Sequence, residues 1–137
     1  MNKSLKSRSF NFVYWIMLIL LVGDTLDTIY RTITGYLGDG ASFPGVDTLI
    51  KPGGTDLIVF FIVQLGVIYG IYLLYNLKKI GGYWLMGSNI IFLLYATTIG
   101  PIAEVGFFTI APVIILYFGI YIILSIGIPR FYSDKFE

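Results

Sequence analysis

The sequence contains no histidine and no cysteine, and only 12% of its 137 residues are charged. Without histidine and cysteine, the chain lacks thiol nucleophiles, disulfides, histidine acid–base catalysis and the usual ligands of haem, zinc, copper and iron–sulfur clusters. A soluble domain of average composition carries about 25% charged residues. The scarcity of charge therefore excludes a soluble enzyme, a disordered tail and a basic nucleic-acid-binding protein.

Apolar residues are abundant instead: 57% of the chain is hydrophobic, 18% is aromatic and the mean hydropathy is +0.85. A helix that crosses the hydrocarbon core of a bilayer needs about 20 mostly apolar residues. Stretches at about 57–77, 83–100 and 105–128 meet this requirement. None of them shows the alternating pattern of a membrane β-strand, so the sequence predicts a transmembrane helix for each.

The first apolar stretch is shorter than the other three. Residues 10–22 are a run of 13 residues, and a helix of that length extends only about 20 Å, against a hydrocarbon core of about 30 Å. Such a run behind basic residues is also typical of a secretory signal peptide, but no A-x-A cleavage site follows it. We therefore predict an uncleaved first span that continues over about 10–31.

The few charges are sorted between the two sides of the predicted bundle. With four spans, one side carries seven of the basic residues and two acids, and the other carries two basic residues and six acids. The two sides therefore have formal charges of +5 and −4, which recover the net charge of +1. Because lysine and arginine in short loops favour the cytoplasmic side, we predict that both termini are cytoplasmic.

The long connection over about 32–55 lies on the acidic, outer side and contains eight glycine and proline residues, which mark turns. Loops of this length are usually functional or rest on another surface, so we expect this loop to cover the outer end of the bundle or to contact a partner. It would include a short interfacial helix around 47–50. Residues 78–82 and 100–104 are predicted as tight turns. The predicted fold is one all-α domain, a four-helix transmembrane bundle.

Ionisable residues at the outer end of the first span are the main candidate site. Asp24, Asp27 and Arg31 lie three and four positions apart, so they share one face of a helix and Asp27 pairs with Arg31. Glu104 lies at the same level by topology. Two interpretations remain open: an ion pair that orients the first helix at the interface, or a site for a cation, a proton or a polar substrate. The acids match no calcium loop, and no metal site is predicted.

Gln64, Ser88 and Asn89 are polar side chains inside the predicted second and third spans. In lipid, such side chains usually hydrogen-bond across helices, and contact with a polar ligand is the alternative. Gly66 and Gly70 stand four residues apart, and this spacing permits close approach of a second helix.

The sequence contains no phosphate-binding loop, nucleophile elbow or zinc-protease motif, so we predict neither an enzyme nor a cofactor. The favoured function is a non-catalytic accessory subunit of a larger membrane complex, with the lipid bilayer and other membrane subunits as its partners. The alternative is a small transporter or channel that uses the outer acidic site and acts as an oligomer. We predict a multi-pass protein of a prokaryotic plasma membrane.

Overall fold

The computed structural model describes residues 3–42, 49–100 and 107–137, and this part of the chain is helical with no β-strand. The chain begins with four helices, which are α1 (Lys3–Leu37), α2 (Gly54–Tyr75), α3 (Ile80–Thr98) and α4 (Phe107–Ile122). A π-helical turn (Ile123–Gly127) and the short helix α5 (Ile128–Phe131) follow. Four helical segments are long and apolar enough to cross a membrane: Arg8–Leu37, Gly54–Tyr75, Ile80–Thr98 and Phe108–Phe131. They indicate a multi-pass membrane protein.

Helix α1 continues well beyond its apolar run and also beyond the predicted end at residue 31. It spans 35 residues, or about 50 Å at 1.5 Å per residue. Two of its threonines are satisfied within the helix, since the hydroxyl of Thr25 donates to the carbonyl of Leu21 at 2.8 Å and that of Thr34 to the carbonyl of Tyr30 at 2.8 Å. These bonds let the helix carry threonines through a mostly apolar environment.

Helices α2 and α3 form a tight antiparallel hairpin. The predicted turn over 78–82 is too long, because α3 already begins at Ile80 and includes Gly81 and Gly82. A Cβ atom on Gly70 would lie 2.6 Å from the carbonyl oxygen of Gly81 and 2.8 Å from the backbone nitrogen of Leu85. The close approach predicted from the glycine spacing at Gly70 is therefore confirmed, and Gly81 supplies the facing small residue.

The π-helical turn brings the end of the fourth span against the start of α3. Pro129 is fully buried and has no N–H, so it cannot donate to the carbonyl of Ser125 four residues earlier. A Cβ atom on Gly82 would collide with that carbonyl oxygen and would lie 2.7 Å from the carbonyl carbon. The absence of a side chain at Gly82 therefore lets the two backbones touch here.

The basic segments of the chain meet at one end of the bundle, which we call the basic end. The hydroxyl of Tyr14 in α1 donates to the carbonyl of Tyr75 at 2.6 Å, and the hydroxyls of Ser9 and Tyr132 lie 2.8 Å apart. The last residue, Glu137, pairs through its backbone with Leu77 and Lys79 at 2.7 and 2.9 Å. Its carboxylate also accepts a hydrogen bond from the Lys78 ammonium, which lowers the pKa of Glu137.

At the opposite, acidic end the helices are less closely associated. The core side chains of α1 are Phe10, Tyr14, Met17, Leu18 and Leu21, all in its first two thirds, where they join the main core. A second small core of Ala96, Ile110 and Ile114 joins α3 and α4 without α1. The bundle is therefore closed at the basic end, whereas α1 and α4 diverge toward the acidic end.

Part of the long loop lies over the acidic end. Ala41 and Ile50 form an isolated antiparallel bridge, with backbone N···O distances of 2.8 and 2.9 Å. Ile50 is therefore extended rather than helical. Residues 47 and 48 of the predicted interfacial helix, and the predicted turn beyond residue 100, lie outside the described residues.

Candidate functional site

A groove of about 340 Å³ lies between the diverging helices at the acidic end. Helix α1 forms one wall, α3 and α4 form the opposite wall, and the bridged loop and the start of α2 contribute the rest of the lining. Its volume is within the range of about 300–1,000 Å³ that is typical of small-molecule sites. We call this cavity the outer groove.

The α1 wall carries the ionisable residues that the sequence singled out. Asp24, Asp27 and Arg31 all line the outer groove. The predicted Asp27–Arg31 pair is formed, with the Arg31 Nε 3.0 Å from an Asp27 oxygen and both side chains more than half exposed. Such an exposed pair on a helix contributes only about 0.3–0.5 kcal/mol to stability, so the pair does little to hold the fold together.

Asp24 is the exception on this wall. It is half-buried one helical turn before Asp27, and in the described part of the chain its carboxylate has no hydrogen-bond or ion-pair partner. Arg31 is paired with Asp27, so the Asp24 carboxylate can pair with a cationic group of a ligand in the groove.

A third carboxylate, Asp56, lines the groove from the first turn of α2. One of its oxygens accepts a hydrogen bond from the hydroxyl of Tyr95 at 2.7 Å, and the other from the backbone N–H of Gly53 at 2.8 Å. Asp56 thus caps α2 and ties it to α3. Sequence reasoning counted this residue only among the outer acids, although its place in the first turn of a span predicts a fixed carboxylate.

We expect Tyr95→Phe to loosen the acidic end of the hairpin, because it removes the hydroxyl donor from Asp56 while keeping the ring. The apparent Tm in detergent, followed by circular dichroism, should fall by a few degrees. Tyr69→Phe is the matched control, since the Tyr69 ring lies on Tyr72 and Trp84 and its hydroxyl makes no hydrogen bond within the described residues. An equal change in both variants would show that the bond to Asp56 is not what matters.

The wall opposite α1 is mainly apolar. The residues of α3 and α4 that line the groove are Asn89, Phe92, Leu93, Ala96, Val113, Ile114, Tyr117, Phe118 and Tyr121. The side-chain nitrogen of Asn89 donates to the carbonyl of Leu85 at 3.0 Å, so its amide oxygen remains an acceptor. The outer groove therefore combines an acidic wall with an apolar wall and one amide.

The polar residues inside the spans do not connect helices as expected. Ser88 donates to the carbonyl of Trp84 at 2.7 Å, and Asn89 to Leu85, so both bond within α3. Gln64 is buried, and its amide oxygen has no partner in the described part of the protein. The cross-helix prediction is therefore wrong for Ser88 and Asn89, since each finds a carbonyl four residues earlier on its own helix.

Glu104, the fourth member of the predicted cluster, lies outside the described residues. Among residues 3–42, 49–100 and 107–137, no group of three or more acidic side chains is arranged to hold a metal ion. The structure thus brings Asp24, Asp27 and Arg31 together, adds Asp56 and Asn89 to them, and gives no information on Glu104.

The chain matches no protein-family model, no curated protein and no solved structure.

Proposed function

We propose that the chain is a small membrane carrier that binds an amphiphilic organic cation in the outer groove. The observation that carries this proposal is the Asp24 carboxylate, which lines the groove without a partner among the described residues. Among the described residues, three aspartates and one arginine line the groove, and together they have a formal charge of −2. A cation is favoured at such a site, and an anion is disfavoured.

The second part of the proposal is that the ligand is amphiphilic. Phe92, Ile114 and Phe118 face the acidic wall across the groove, and an apolar body placed against them would leave water at about 25 cal/mol per Å² of buried surface. Its cationic group would lie on the α1 side, near Asp24. The aromatic rings of the α3 and α4 wall also attract a ligand cation that lies over their faces.

The test uses two probes of the same shape and opposite charge, tetraphenylphosphonium and tetraphenylborate. In nanodiscs of zwitterionic lipid, we expect saturable binding of tetraphenylphosphonium above the background of empty discs. Tetraphenylborate should show only that background. Equal saturable binding of both ions would contradict a cation site. In proteoliposomes, a carrier should also exchange internal for external tetraphenylphosphonium faster than protein-free vesicles, and binding without exchange would reduce the function to binding alone.

The accessory-subunit interpretation, which the composition favoured, makes a different prediction. A subunit of a larger complex should elute with larger membrane proteins in fixed stoichiometry after mild detergent extraction. A carrier should be recovered alone or as an oligomer of its own chain. Recovery of the native protein from its own membranes therefore distinguishes the two functions.

We also propose that the basic end faces the cytoplasm, so that the outer groove opens on the opposite side of a prokaryotic plasma membrane. The charge asymmetry supports this orientation. Because the chain has no cysteine, Ser42→Cys provides a single thiol at the exposed acidic end. We expect an impermeant maleimide to label it in intact cells. Labelling only after the cells are opened would invert the topology.

A further inference from the structure

A second cavity, of about 230 Å³, lies at the basic end of the bundle. It is lined by Lys79, Tyr83, Ile126, Pro129 and Arg130. Two cations and a phenol thus share one pocket with an apolar isoleucine and a proline. We call this cavity the basic pocket. The basic pocket and the outer groove are separate cavities, because they have no lining residue in common.

The cations of the basic pocket are not neutralised by neighbouring acids. Arg130 donates to the hydroxyl of Tyr83 at 2.5 Å, and neither Arg130 nor Lys79 forms an ion pair with a described residue. Glu137, whose backbone carbonyl accepts a hydrogen bond from the Lys79 N–H, has its carboxylate paired with Lys78 instead. The bond to Tyr83 leaves the other N–H groups of the Arg130 guanidinium available, since a guanidinium carries five donors.

The fold determines where these groups lie. The π-helical turn and the buried Pro129 bring the end of the fourth span against the first turn of α3. Lys79 immediately precedes α3, and Arg130 is the penultimate residue of the apolar segment Phe108–Phe131. Both cations therefore lie where apolar spans end, at the depth of the lipid headgroups.

We propose that the basic pocket binds the phosphate of an anionic phospholipid. The guanidinium of Arg130 and the ammonium of Lys79 would hold the phosphate oxygens, while the half-buried side chain of Ile126 would contact the glycerol and the start of the acyl chains. Basic pockets between membrane helices bind anionic headgroups in this way. Free phosphate carries the same charge but has no apolar part to contact Ile126.

The experiment measures, by native mass spectrometry, the retention of anionic phosphatidylglycerol by the full chain, with zwitterionic phosphatidylcholine as the comparison of no net charge. We expect the wild-type protein to retain phosphatidylglycerol preferentially. Arg130→Gln and Lys79→Gln should each lower that preference about fivefold, because each basic residue near an anionic lipid contributes about this factor. Lys135→Gln is the matched control, since it removes the same charge at the same end but does not line the pocket.

Three outcomes would overturn the proposal. No preference for phosphatidylglycerol in the wild type would show that the pocket is not an anion site. An equal loss in Lys135→Gln would show that the net charge of this end, and not the pocket, attracts the lipid. Displacement of the bound lipid by inorganic phosphate at low millimolar concentration would assign the pocket to a free phosphate. Tyr83→Phe keeps both cations and removes only the hydroxyl on Arg130, so it should lower the preference by less than fivefold. If the charge variants fail to fold, a preference in Tyr83→Phe equal to that of the wild type would contradict a site at this pocket.

Discussion

Asp24→Asn should weaken the binding of tetraphenylphosphonium at least about tenfold. The substitution keeps the size and polarity of the side chain and removes the charge that has no partner among the described residues. The four phenyl rings keep a carboxylate about 6 Å from the phosphorus, and two opposite unit charges at that distance attract each other by about 3 kcal/mol at the effective dielectric constant of a protein surface. Desolvation offsets part of this energy, and about 1.4 kcal/mol of net loss already corresponds to a tenfold change in Kd.

Asp39→Asn is the matched control for this experiment. Asp39 lies just past the end of α1, is exposed and does not line the outer groove. The two variants therefore have the same net charge and the same chemistry of substitution at the same end of the bundle. We expect Asp39→Asn to bind the probe as the wild type does. Equal weakening in both variants would mean that the long-range field of the acidic end, and not a contact with Asp24, attracts the cation.

Arg31→Gln should change binding in the opposite direction. It removes the only basic residue among the described residues that line the groove, and it releases Asp27 from its ion pair. We expect a several-fold tighter Kd for tetraphenylphosphonium, because two carboxylates then face the ligand from α1 without a competing cation. A loss of binding would contradict this account of the groove and would assign Arg31 to the ligand instead.

The largest effect on stability is expected for Gly82→Ala. A Cβ atom at this position would collide with the carbonyl group of Ser125 and also lie 3.3 Å from a side-chain carbon of Ile126. Because the carbonyl of Ser125 belongs to the backbone, it cannot rotate away as a flexible side chain would. Either α3 or the π-helical turn must therefore shift. Overpacking of this kind costs about 1–3 kcal/mol. Unfolding in detergent should show this cost as a lower apparent Tm and a shorter half-life at elevated temperature.

Gly87→Ala, five residues further along α3, provides the comparison. A Cβ atom at Gly87 would have no atom within 4 Å, so the substitution adds only the higher helix propensity of alanine, about 0.5–1 kcal/mol. The two variants should therefore move the apparent Tm in opposite directions. If Gly82→Ala is as stable as Gly87→Ala, α3 and the π-helical turn do not meet as described.

The sequence alone predicted the features that depend on local spacing and composition. The four apolar spans follow from length and hydropathy, and the Asp27–Arg31 pair follows from a four-residue interval on one helix. The approach of a second helix at Gly70 was also readable from two glycines four positions apart. Each of these features involves residues that are close together in the chain or a property summed along one segment.

The remaining features depend on contacts between distant segments. The bond from Tyr95 to Asp56 joins residues 39 positions apart, and no pattern in either helix indicates it. The predicted first span ends at residue 31, but α1 continues to Leu37, and Thr34 in this extension donates to a carbonyl of the same helix. The apolar wall of the groove was not predicted either, since in the sequence Phe92 and Phe118 cannot be told from lipid-facing residues. They line a cavity only because α1 and α4 diverge.

The bundle is closed at the basic end but not at the acidic end, and this difference has a mechanical consequence. Hydrogen bonds between Tyr14 and Tyr75 and between Ser9 and Tyr132 join α1 to the rest of the chain there, whereas beyond Leu21 α1 supplies no member of the main apolar core. Separating the outer half of α1 from α4 would therefore break few contacts, and its free energy would be far below that of global unfolding. The outer groove could then widen around ligands of different size while the basic pocket, at the opposite end, keeps its shape.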